Sequence, residues 1–80
     1  MISKEELMQR VARIDYWHPA DTTATVCCLV FKNGMTALGW SACANPKEFD
    51  SELGKKYALD DAVERSLGFI AWEQANERQS

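Results

Sequence analysis

The sequence predicts an α+β domain: an N-terminal short helix, a two-stranded antiparallel hairpin and a long C-terminal helix, in a single domain over residues 1–80 that is oligomeric. Three observations predict it. Asn33-Gly34 lies between two apolar runs, Ser3 is followed three residues later by Glu6, and apolar residues recur every three or four positions from about Ser51 to Asn76. The first is the strongest short-range hairpin signal, the second is a capping box, and the third is the period of an amphipathic helix.

In chain order, the capping box starts a helix that runs from about Lys4 to Arg13, with Leu7, Val11 and Ile14 on one face and Met8 beside them. Residues 15–22, D-Y-W-H-P-A-D-T, read as a loop, because Pro19 holds His18 extended and Asp21 and Thr22 favour turns. Tyr16, Trp17 and His18 either plug the end of a core or offer rings to a purine.

The hairpin strands cover about residues 23–32 and 35–43. A two-residue type I′ loop would set Phe31 opposite Thr36, Leu29 opposite Leu38 and Cys27 opposite Trp40. Cys27, Leu29, Phe31, Thr36, Leu38 and Trp40 then form a bulky face under the long helix. On that reading Trp40→Ala destabilises by about 3–5 kcal/mol. The opposite face, with Val26, Cys28, Val30, Met35, Ala37 and Gly39, is apolar but small, open to another backbone, a covering segment or a flat ligand. Gly39 marks a bulge or a close approach.

Asn45 with Pro46 reads as the cap of a short helical turn, and Asp50 as a second cap for the long helix. The helix stripe is Leu53, Tyr57, Ala58, Ala62, Val63, Leu67, Ile70 and Ala71, with Phe49 leading in. Gly54 and Gly68 each weaken a helix by about 1 kcal/mol against alanine, which implies a packing reason for each. Phe69 and Trp72 fall off the stripe and suggest a second buried surface, for which a partner subunit is the natural cover. A chain of 80 residues buries only roughly 60% of its unfolded surface, which points the same way.

Three cysteines, two of them adjacent, do not read as a disulfide framework, so they are expected reduced in a cytosolic protein. No apolar run is long enough for a membrane span, and the start MISKEELMQR is unlike a signal peptide. A net charge of −3 argues against long nucleic acids. Cys27, Cys28, Cys43 and His18 make a poor metal set, because Cys27 and Cys28 diverge on a strand, so no metal and no cofactor are expected. No nucleophile with a base and no carboxylate pair stands out, so an enzyme is not expected. Asp61 with Arg65, and Glu52 with Lys56, fit surface pairs on a helix. An anion could meet the helix N-terminus near Asn45 among Lys32, Lys47, Lys55 and Lys56, although Glu48, Asp50 and Glu52 share that stretch.

The run K-N-G-M-T…G…S-A-C…N-P…F-D…E-L-G-K-K-Y-A over residues 32–58 resembles small bacteriophage proteins of the gp-forty-nine-like family, and through them the anti-Thoeris sponge proteins of phages. The resemblance implies a non-catalytic protein of the host cytoplasm. It would hold a cyclic nucleotide or cyclic ADP-ribose-type immune signal in a pocket between subunits. It also assigns ligand contacts: Met35 where the family has an aromatic after the turn, Asn45 for hydrogen bonds, and Lys55 and Lys56 as a basic pair. Met35 departs from the family's ring, keeping apolar contact without stacking. The alternative is a phage accessory protein that binds and inhibits a host protein through the apolar hairpin face.

Overall fold

The structure, a computed structural model, describes residues 2–79, with side chains as far as Ile70. Its first element is α1, Lys4–Gln9, capped as the sequence expects: the Ser3 hydroxyl accepts from the Glu6 N–H at 3.2 Å. The helix stops four residues short of Arg13. Arg10 closes it and the chain turns at once into strand β1, Val11–Trp17.

This strand overturns the two-stranded expectation. Strands β1, β2 (Ala24–Phe31) and β3 (Thr36–Ala42) form one antiparallel sheet in the order β1-β2-β3. The residues that misled are Leu7, Val11 and Ile14, which have helical spacing. Val11, Ile14, Tyr16 and Trp17 are also good strand formers, and the free edge of β2 offers them a ladder. Ala12 is the extra residue of a bulge between the Val11–Phe31 and Arg13–Val30 pairs. Only residues 18–23 remain as loop, with Asp21 at a positive φ of 60° that aspartate tolerates.

The hairpin turns at Asn33-Gly34, but in a different register. Gly34 N–H donates to the Phe31 carbonyl, Phe31 N–H donates to the Met35 carbonyl at 2.8 Å, and Asn33 Oδ1 accepts from Met35 N–H. Gly34 has φ +91° while Asn33 does not, so the type I′ geometry, which needs both, is excluded. The loop is three residues long and closes on a glycine bulge. Leu29 therefore pairs with Ala37, Cys27 with Gly39 and Val26 with Trp40. This one-residue slip turns β3 over relative to expectation. Leu38 and Trp40 are 61% and 59% exposed, while Gly39 is buried.

Asn45 Oδ1 caps a 3-10 turn at Pro46–Glu48, and Asp50 Oδ1 accepts from Glu52 N–H at 2.9 Å to start helix α2, Ser51–Gln79. Helix α2 lies mainly over β3 and β2, with α1 against it. The core consists of Ile2, Leu7, Cys27, Leu29, Ala58, Ala62 and Val63. Leu53 and Tyr57, expected on the stripe, are exposed. Small residues take the contact instead. A β-carbon at Gly39 would fall 2.6 Å from Ala62 Cα, and one at Gly54 would fall 2.6 Å from Thr25 Oγ1. Gly39 is thus the close approach, and the backbone approaching it is the chain's own helix. A β-carbon at Gly68 meets no described atom within 4 Å. Trp72 and Ala71 lie outside the residues whose side chains are described.

Candidate functional site

A cleft of about 460 Å³ opens at the hairpin tip, between the β2–β3 turn and the middle of α2. The turn geometry projects Met35 into it, the end of α1 brings Arg10, and α2 brings Arg65, Phe69 and Ile70. Arg10 is held there from both sides: its N–H donates to the Leu7 carbonyl, and its carbonyl accepts from Lys32 N–H. The volume is that of a small-molecule site. Among the described residues the lining contains two guanidiniums and no carboxylate, on a chain of net charge −3. Those residues also include no imidazole, thiol or amine. Such a wall can bind an anion and press apolar and aromatic groups on a ring.

Behind the cleft, Asp61 Oδ2 accepts from Arg65 Nε at 2.9 Å and from the Trp40 N–H at 3.0 Å. The Trp40 N–H, and then Arg65, hold the Asp61 carboxyl below its ordinary value. The carboxylate is therefore charged at neutral pH and fixes the guanidinium beside the cleft. It also blunts the outer edge of β3 by taking a backbone donor that would otherwise face solvent.

The four residues named from sequence do not meet within one chain. Met35 lines the cleft, whereas Asn45, Lys55 and Lys56 do not. The seven residues of β3 separate Met35 from Asn45, about 20 Å or more of strand. Asn45 is occupied in capping, and its carbonyl accepts from the Cys43 thiol at 3.2 Å and from Glu48 N–H. Lys55 Nζ lies 5.7 Å from the centre of the Tyr16 ring and 3.8 Å from Glu52, which pairs with it rather than with the expected Lys56. Lys56 is exposed. His18 stacks on Phe49 at 5.0 Å, and its Nδ1–H donates to the Ala24 carbonyl, so this ring closes the end of the fold.

Sequence reasoning missed Arg10, Phe31 and Arg65 as cleft residues. Arg65 was assigned only its Asp61 pair, which is present. Phe69, off the helical stripe, was the one local signal. Among the described residues no group of three His, Cys, Asp or Glu side chains could hold a metal, and no helix is long and apolar enough to cross a membrane. A sequence model described as the phage protein (N4 Gp49/phage Sf6 gene 66) family matches residues 1–74. No curated protein and no solved structure matches the chain.

Proposed function

The chain belongs to the phage protein (N4 Gp49/phage Sf6 gene 66) family, and from that premise we propose that it sequesters a cyclic nucleotide or cyclic ADP-ribose-type immune signal without cleaving it. The observation that carries this reading is the hairpin-tip cleft, in which Met35 shares a wall with Arg10, Arg65, Phe31 and Phe69. Guanidiniums suit phosphate or pyrophosphate oxygens through paired N–H donors. Met35 and the phenylalanines suit the base. Asn45, Lys55 and Lys56 reach the same ligand only from a second copy of the chain, so a site using all four is shared between subunits. Such a protein holds its ligand unchanged and is not an enzyme. It would act in the host cytoplasm, where such signals are made.

Calorimetry with a panel of cyclic di- and trinucleotides and cyclic ADP-ribose isomers tests the proposal. One member should bind with nanomolar affinity, about −12 kcal/mol, and heat should return it chemically unchanged. Arg10→Ala should weaken it at least about tenfold, the cost of one charge-assisted hydrogen bond. No heat with any member of the panel defeats the proposal, and inhibition of a host protein then takes its place.

A further inference from the structure

Opposite helix α2 the sheet has a second face, and among the described residues none covers it. The register puts Trp17, Val26 and Trp40 in one row across the three strands and Asp15, Cys28 and Leu38 in the next. Trp17 is 64% exposed, and Leu38 and Trp40 nearly as much; Val26 and Cys28 are half-buried between them. We infer that this face is the surface on which a second copy of the chain docks, sheet against sheet.

Two arguments select a second copy. The first is charge. The face carries Asp15 in the second row and Arg13 beyond it, opposite Val30, and the two neutralise each other at 2.8 Å. A two-fold arrangement therefore meets no net charge at the contact, although each chain is at −3. The second is area. Side chains of this size, each about 60% exposed, present on the order of 500 Å² per copy, or roughly 1,000 Å² for two, the threshold of a specific interface. An apolar patch of that extent is at the upper end of what a monomer leaves in water.

The face borders the cleft at Leu38, but neither Trp17 nor Trp40 lines it and the test contains no nucleotide, so the inference fails or holds independently of the ligand reading. Sedimentation velocity of the intact chain from about 1 to 100 μM, the range of a modest apolar interface, should show a dimer. Trp17→Ser with Trp40→Ser should raise its dissociation constant at least about a hundredfold, since each tryptophan occurs twice in a two-fold contact, with circular dichroism unchanged. Leu53→Ser with Tyr57→Ser, on the other exposed apolar surface, should leave the dimer intact. If the tryptophan variant fails to fold, Asp15→Arg on the exposed edge strand decides: it places like charges on both copies and should weaken the dimer. A wild type that stays monomeric overturns the inference and leaves the face to another protein. A dimer that survives the changes on the sheet face, or dissociates with Leu53 and Tyr57, overturns it too.

Discussion

A methyl group at residue 39 has nowhere to go, because the backbone of α2 at Ala58 and Ala62 already fills the space. Gly39→Ala should lower stability by about 3 kcal/mol or more, since backbone has to move. The same change at Gly68, with no described atom within 4 Å, should raise it by about 1 kcal/mol through helix propensity. Chemical denaturation of the two variants measures both, and equal effects would contradict this account of the contact. Asp61 supplies a pH-dependent term. Its carboxyl is held low in the fold by Trp40 N–H and Arg65, so its stabilisation is present above the ordinary carboxylate value of about 4. It is lost as pH falls through the folded value. Asp61→Asn should lower Tm at neutral pH, and the gap to wild type should close in acid. A gap of the same size at about pH 2.5 would show that shape rather than charge holds the edge of β3. At Cys27, burial pushes the thiol up to about 11, so it is a core side chain and no nucleophile.

Among the elements, those with local chemistry were legible in the sequence. Ser3, Asn45 and Asp50 cap where capping rules place them, and α2 follows its three- and four-residue spacing. Strand β1 was not legible, because Leu7, Val11 and Ile14 satisfy a helical period, and only the free edge of β2 decides between the two. That edge is a tertiary fact. The register of β3 was hidden for a related reason. Asn-Gly suits the two-residue loop, whereas the three-residue loop lets Gly39 meet the helix, and packing chose between them. The stability of Trp40→Ala follows this register. Measured where the chain is monomeric, the change should cost under about 1 kcal/mol, as for other exposed sites. Leu29→Ala, on the buried face, should cost about 2–5 kcal/mol. Leu29 faces the helix in either register, so a loss for Trp40→Ala as large as that for Leu29→Ala would restore the expected one.

For the whole molecule, the candidate site was legible only at Met35. Arg10 and Arg65 are 55 positions apart in sequence, and no periodicity or motif joins residues that meet only because α1, the hairpin and α2 converge on one corner. Asn45, Lys55 and Lys56 lie at the far end of β3, so the sequence motif that groups them with Met35 is a unit in the chain but not in one folded copy. The loop at residues 32–34 has a further consequence. Surface loops ordinarily absorb an inserted or deleted residue at little cost. Here the pair that brackets the turn, and not the number of residues inside it, decides which face of β3 meets the helix: with Phe31 opposite Met35, glycine faces the helix and tryptophan faces away. Deleting Lys32 leaves Asn33-Gly34 as a two-residue loop inside the same pair and keeps that arrangement. Deleting Thr36, one step into the strand, turns over every side chain beyond it and aims an indole at a gap too small for a methyl group. The turn should therefore tolerate a loss of length that the strand beside it does not.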